Sequence, residues 1–155
     1  IMQELQAHNL VHRDLKPDNI GFRVDGSCVI LDFGHSIVLD PEKRSKTWKV
    51  EGNAAYSSPE ALSITCELQY TTAHDIYGLG VMFAEMITCG RYSENYRSVE
   101  DFAFWVKQFD KRPQLPAHCP ANISSLAASM WHKNPSERIT AAEVVEKLKP
   151  AALGR

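Results

Sequence analysis

Apolar and polar positions divide the chain into a small hairpin, a long connection and a run of helices. Residues 1 to 8 read as the tail of a helix, with Ile1, Met2 and Leu5 on one side. Asn9 to Asn19 has the composition of a loop: one proline, two aspartates and two asparagines. Ile20 to Arg23 and Cys28 to Leu31 are short strand candidates, and Asp25-Gly26 between them predicts a hairpin turn. Residues 32 to 58 show little periodicity, and a connection that long inside a compact domain is usually functional.

From Thr72 onward the pattern is helical. Thr72 to Cys89 is apolar nearly all round (Ile76, Tyr77, Leu79, Val81, Met82, Phe83, Met86, Ile87), which predicts a helix buried through the domain centre, with Gly90 as its stop. Ser98 to Phe109 carries Val99, Phe102, Trp105, Val106 and Phe109 near helical spacing, with Ser98 and Asp101 at capping-box spacing. Ile123 to His132 and Ala141 to Leu148 complete the set, and Thr140 with Glu143 forms a capping box. The sequon Asn122-Ile123-Ser124 reads as a helix start, with Asn122 as the cap. No internal repeat or low-complexity segment interrupts this order.

Composition narrows the classes. With 155 residues, 44% hydrophobic and 23% charged, the chain suits one globular domain with a real core. A formal net charge of −2 gives no argument for nucleic acid or an anionic membrane. The stretch Ile76 to Ile87 contains Glu85 and is too short to span a bilayer, which takes about 20 residues. Cys28, Cys66, Cys89 and Cys119 make no C-x-x-C pair, so reduced thiols in a cytoplasmic or nuclear protein are expected. The chain opens at Ile1, in the middle of a helical pattern, which suggests a piece of a longer protein.

The chemistry concentrates in His12-Arg13-Asp14-Leu15-Lys16-Pro17-Asp18-Asn19 and in Asp32-Phe33-Gly34, which follows the hairpin. This set resembles the H-R-D-x-K-x-x-N and D-F-G motifs of the eukaryotic protein kinases. Gly52 to Glu60 (G-N-A-A-Y-S-S-P-E) is similar to that family's G-T-x-x-Y-x-A-P-E segment, and Asp75 to Gly80 is similar to the start of its central helix. The likeness covers nearly all 155 residues. It implies a mainly α fold with a small β-hairpin, namely the helical C-terminal lobe of a kinase, with residues 1–150 as a partial kinase domain and 151–155 as a tail. The N-terminal lobe would belong to the parent chain.

The resemblance also implies roles, and the chemistry says why they need these residue types. A transferring phosphoryl group is anionic, so Mg²⁺ and cations must surround it. Asn19 and Asp32 offer Mg²⁺ hard oxygen ligands, Asp14 accepts the hydrogen of the incoming hydroxyl, and Lys16 is a mobile point charge for ATP phosphate. Glu60 and Arg138 imply a buried ion pair. Asp75 would accept backbone N–H groups of the catalytic loop, His12 and Phe33 would stack, and Gly34 completes the D-F-G turn. Lys16-Pro17 indicates the serine/threonine class, so the expected partners are ATP, Mg²⁺ and a protein substrate bearing serine or threonine, with no nucleic acid and no membrane span.

Several positions depart from the family pattern. No glycine-rich loop or V-A-I-K lysine occurs in these residues, so the isolated chain is expected to bind ATP weakly and not turn over. Gly21 replaces the leucine usually found under adenine, and Phe22 or another neighbour would have to form that floor. Asn53 replaces a threonine, and its side-chain amide is expected to bond both Asp14 and Lys16. Arg13 before Asp14 implies a switch by phosphorylation, with Thr47 as the candidate acceptor and Ser36 and Ser45 as others. Two further readings differ in class: a pseudokinase or truncated kinase-like scaffold, and a small-molecule kinase. The intact Asp14, Lys16, Asn19 and Asp32 oppose the first, and Glu60 with Arg138 opposes the second.

Overall fold

The structure is a computed structural model that describes residues 1–40, 52–62, 70–92 and 96–149, and residues 46–47 and 68–69 by their backbone pairing. In chain order the elements are α1 (Met2–Ala7), β1 (Leu10–Val11), β2 (Ile20–Phe22), β3 (Cys28–Ile30), β4 (Ile37–Val38), β5 (Lys46–Thr47), β6 (Leu68–Gln69), α2 (Ala73–Thr88), α3 (Val99–Gln108), α4 (Ala121–Met130) and α5 (Ala141–Leu148). Short 3₁₀ turns lie at Pro17–Asn19, Ala54–Tyr56 and Pro135–Glu137. No helix among the described residues is long and apolar enough to cross a membrane.

The predicted hairpin is β2 paired with β3 in antiparallel register, Ile20 opposite Ile30 and Phe22 opposite Cys28. Gly26 takes a left-handed φ of 81° in its turn, the conformation for which glycine carries no steric penalty. Two further pairs correct the single-hairpin expectation. β1 pairs with β4, which ties the lead-in of the polar loop to the long connection, and β5 pairs with β6.

α2 is the centre of the core. His74 to Gly78, Gly80 to Met82 and Ala84 are buried, with Ile76, Tyr77 and Val81 fully so. Burying each such aliphatic side chain stabilises the fold by about 1.5–3 kcal/mol. Two glycines let neighbours come close: a Cβ on Gly80 would lie 2.9 Å from Met130 Cβ of α4, and one on Gly78 would lie 3.0 Å from the Tyr56 carbonyl oxygen. The Arg112 and Arg138 guanidiniums lie 5.3 and 5.2 Å from the Tyr77 ring. The burial does not run the whole helix, because Met86 is two-thirds exposed and Thr88 is exposed. The stop also differs from expectation: Cys89, not Gly90, takes the left-handed position, at φ 51°.

The capping box of α5 forms as predicted: the Thr140 hydroxyl accepts from Glu143 N–H, and the Glu143 carboxylate accepts from Thr140 N–H. α3 forms half of one. Ser98 Oγ accepts from Asp101 N–H, but Asp101 reaches back to Arg97 N–H instead of the cap residue. α4 starts at Ala121 with Pro120 in the cap position, so Asn122 sits inside the first turn and caps nothing. Proline fixes a φ that suits the chain entering a helix. α1 has no buried residue of its own, and it is latched to α5 by Ala141 N–H donating to Gln6 Oε1 at 2.9 Å.

Candidate active site

The polar loop is fixed from below by the first turn of α2. Asp75, 2% exposed, accepts His12 N–H on Oδ2 at 2.6 Å and Arg13 N–H on Oδ1 at 3.0 Å. A carboxylate in a helix's first turn also faces the positive end of the helix dipole. These bonds hold Arg13 at a left-handed φ of 67°, a conformation that costs a non-glycine residue about 1–2 kcal/mol.

His12 connects the loop to the segment after the hairpin. Its ring is fully buried and meets Phe33 edge to face, with centroids 5.0 Å apart. Nδ1 accepts from Asp14 N–H at 3.4 Å while Nε2 lies 3.0 Å from the Leu31 carbonyl, so the hydrogen sits on Nε2. Arg13 Nε donates to the His35 carbonyl, and its guanidinium lies 5.3 Å from the centre of the Tyr70 ring.

Asp14 is the most heavily bonded carboxylate of the site. Oδ2 accepts from Lys16 Nζ at 2.7 Å and from Asn19 Nδ2 at 3.1 Å, and Oδ1 accepts from Asn53 N–H at 2.8 Å. Burial pushes the Asp14 carboxyl up. The Lys16 ammonium, the Asn53 N–H and the Asn19 amide outweigh it and hold the group below the ordinary aspartate range. Lys16 is pushed up, first by its bond to Asp14 against the opposing effect of burial, then by the charges of Asp14, Asp18 and Asp32.

Asn53 departs from the sequence expectation. Its backbone N–H, not its side chain, meets Asp14, and it makes no hydrogen bond with Lys16 among the described residues. The side-chain oxygen instead accepts from Ala55 N–H at 3.0 Å, capping the turn at 54–56. A short amide competes well for a nearby backbone donor, which is why asparagine favours such caps. Gly52, at φ 79°, lies against the loop: a Cβ there would fall 2.2 Å from the Arg13 carbonyl oxygen and 2.9 Å from Asp14 Oδ1. Sequence reading placed this glycine at the head of the Gly52–Glu60 segment but gave it no role against the loop.

Asp32 reaches the site through the backbone, because Leu31 N–H donates to the Asn19 carbonyl at 2.9 Å. It has a left-handed φ of 58°, and its Oδ1 accepts from Gly34 N–H at 3.1 Å. Asn19 Nδ2 spends its hydrogens on Asp14, which leaves Oδ1 as the amide atom able to hold a metal ion. Asn19 and Asp32 thus offer two hard oxygens, the number Mg²⁺ takes from protein when nucleotide phosphates supply others. No cluster of three or more His, Cys, Asp or Glu side chains suited to an all-protein metal cage occurs among the described residues.

The space a side chain at Gly21 would take is closed by Val29 Cγ2 at 3.1 Å and Leu31 Cδ1 at 3.4 Å. Phe22 does not fill it, being three-quarters exposed. Thr47 lies in β5 opposite Leu68, and its side chain, like Ser45, falls outside the described residues. Ser36 Oγ donates to the His12 carbonyl at 3.4 Å.

Arg138 and Glu60 are brought together, with the Arg138 side chain fully buried. Two supports had no sequence signal. Glu85 of α2 accepts from Tyr56 O–H at 2.9 Å and from Tyr92 N–H at 2.8 Å. His74 Nδ1 lies 2.8 Å from Ser58 Oγ, with the Tyr70 ring edge-on at 4.9 Å.

Known proteins share this arrangement. The family profile described as Protein kinase domain matches residues 2–148. Among curated proteins, the chain is 28% identical to the dual specificity protein kinase shkE of Dictyostelium discoideum, over 90% of this chain and 19% of that protein. It is 35% identical to the probable serine/threonine-protein kinase PkwA of Thermomonospora curvata, over 93% of this chain and 18% of that one. It is also 32% identical to ephrin type-A receptor 3 of Danio rerio, over 95% of this chain and 15% of the receptor. The chain therefore spans less than a fifth of the length of these relatives. With a match over nearly its whole length, the chain belongs to the eukaryotic protein kinase superfamily.

Proposed function

We propose that the parent protein is a serine/threonine protein kinase, that these residues are its C-terminal lobe, and that Asp14, Lys16, Asn19 and Asp32 carry phosphoryl transfer from ATP. The observation that carries the reading is Asp14 held as an anion by Lys16, Asn19 and the Asn53 backbone. Family membership implies ATP and Mg²⁺. Bound through Asn19 and Asp32, Mg²⁺ would neutralise charge on the nucleotide phosphates.

The chain's own residues then do the positioning. A carboxylate of lowered basicity is a better anchor for a hydroxyl than a sink for its proton. Asp14 therefore orients the substrate oxygen, and placement supplies much of the rate. Lys16 stays charged and sits between Asp14 and the phosphate it follows. Asp75 keeps the loop backbone in shape from below, and the His12–Phe33 contact couples it to Asp32. Lys16-Pro17 supports serine/threonine preference. The isolated 155 residues supply one wall of the nucleotide site and do not turn over alone.

The test uses the full-length protein with ATP, Mg²⁺ and matched peptides bearing serine, threonine or tyrosine. Phosphate should enter the serine and threonine peptides. Asp14→Asn should lower kcat by about 10²–10⁴-fold in protein that still unfolds cooperatively. Transfer to tyrosine alone, or an Asp14→Asn variant as active as wild type, would sink the proposal.

A further inference from the structure

One bond to the Asp14 carboxylate comes from outside its own loop. Lys16 and Asn19 reach Asp14 from within the loop, so the loop's own fold places them. The Asn53 N–H comes from 39 residues away in sequence and needs a separate support.

That support is the turn at 54–56. Tyr56 N–H donates to the Asn53 carbonyl at 3.1 Å, and Ser57 Oγ donates to the same oxygen at 3.2 Å. Tyr56 then seats the turn on α2. Its ring is buried in the core with Tyr77, Val81 and Met82. At the far end of that ring the hydroxyl donates to Glu85 Oε2 at 2.9 Å, while Glu85 Oε1 accepts from Tyr92 N–H at 2.8 Å. Burial pushes the Tyr56 hydroxyl pKa up, and the bond to Glu85 and the charges of Glu85 and Asp18 add to this against Arg91. The phenol therefore stays protonated, and its bond to a carboxylate is stronger than one between neutral groups.

α2 thereby holds both sides of the Asn53–Asp14 contact. Asp75 accepts from the loop backbone at His12 and Arg13. A Cβ on Gly78 would lie 3.7 Å from the Leu15 carbonyl oxygen and 3.0 Å from that of Tyr56, so loop and turn meet over this glycine. Glu85 follows at helical spacing along the same face.

We propose that Glu85 is a positioning residue for phosphoryl transfer, acting through the Tyr56 hydroxyl to keep the Asn53 N–H against Asp14. The inference rests on the proposed role of Asp14 and gives Glu85 no contact with nucleotide or substrate. Such remote supports matter because a misplacement of about 1 Å at reacting groups costs much of the rate.

The test uses the full-length protein and two readouts. One is the exchange rate of the Asn53 amide, followed by NMR with isotope-labelled asparagine, which needs no turnover. The other is kcat and KM from initial rates. Tyr56→Phe removes the hydroxyl and keeps the buried ring. Its Asn53 amide should exchange at least about tenfold faster while amides of α4 and α5 are unchanged. Its kcat should fall by about 10–100-fold with KM for ATP little changed. Glu85→Leu should behave alike. Glu85→Gln should recover most of the rate lost in Glu85→Leu, because its amide can donate to the Tyr56 oxygen while its carbonyl accepts from Tyr92 N–H. A wild type that transfers no phosphate would overturn the proposed function and this inference with it. An active wild type whose Tyr56→Phe variant keeps Asn53 protection, or loses it at unchanged kcat, would overturn this inference alone. Equal losses in Glu85→Gln and Glu85→Leu would do the same.

Discussion

Arg138 and Glu60, 78 residues apart in sequence, meet through two parallel hydrogen bonds, Nη1 to Oε1 at 2.6 Å and Nη2 to Oε2 at 2.7 Å. The guanidinium also donates to the carbonyls of His132, Lys133 and Ala73, so it ties the start of α2 to the turn before α5. Removing one partner leaves a buried charge alone. Glu60→Gln should therefore destabilise the protein by roughly 3–5 kcal/mol in denaturant unfolding, and replacing both residues with apolar ones should cost much less. Burial pushes the Glu60 carboxyl up, but Arg138 more than offsets it and the net shift is downward. The pair's stability is thus present above the ordinary glutamate value of about 4.3 and lost as pH falls through the lowered folded value.

Gly52→Ala should damage the site more than its size suggests. Its Cβ would lie 2.2 Å from the Arg13 carbonyl oxygen, and φ is 79°. The Gly52–Asn53 backbone must back away, and Asp14 then loses the Asn53 N–H. We expect kcat to fall at least tenfold with KM for ATP little changed, measured by initial rates. An unchanged kcat would mean that the backbone contact is not needed.

The acid limb of the rate profile should report Lys16. In the proposed function the ionised Asp14 orients the substrate, and its pKa is lowered, so activity should persist below the ordinary aspartate value of about 3.9 wherever the fold survives. Lys16→Met removes the strongest group holding that pKa down. The acid limb of kcat/KM should move to higher pH, in addition to any loss of rate.

His74 gives a second acid effect, on stability. Burial pushes its imidazole pKa down, against the charges of Asp75 and Glu60 that favour protonation, with Arg138 and Arg13 acting alongside burial. The ring is neutral in the fold, so stability should decline as pH falls below the ordinary histidine value of about 6.5. His74→Gln should flatten this part of the pH–stability curve. Ser58→Ala should cost about 1–3 kcal/mol, because it leaves a buried ring nitrogen without its hydrogen-bond partner.

Long periodic segments and capping chemistry were legible in the sequence. The limits of α5 and its capping box follow from Thr140, Glu143 and the spacing of Ala141, Val144 and Leu148. The hairpin followed from Asp25-Gly26. The pairs β1–β4 and β5–β6 were not legible, because two-residue strands have no period to read. The grouping of Asp14, Lys16 and Asn19 was legible because they share one loop. Asn53 misled because a residue's identity does not say whether its side chain or its backbone makes the contact. Glu85 and His74 lacked a signal because their partners lie 29 and 16 residues away in sequence.

The latch between Gln6 and Ala141 has a consequence for synthesis. It joins residues 135 apart in sequence. The helix that leads into the His12–Asn19 loop therefore gains this bond only after α5 has left the ribosome. Contacts that span so much chain are slow to close, so the latch is among the late contacts of folding.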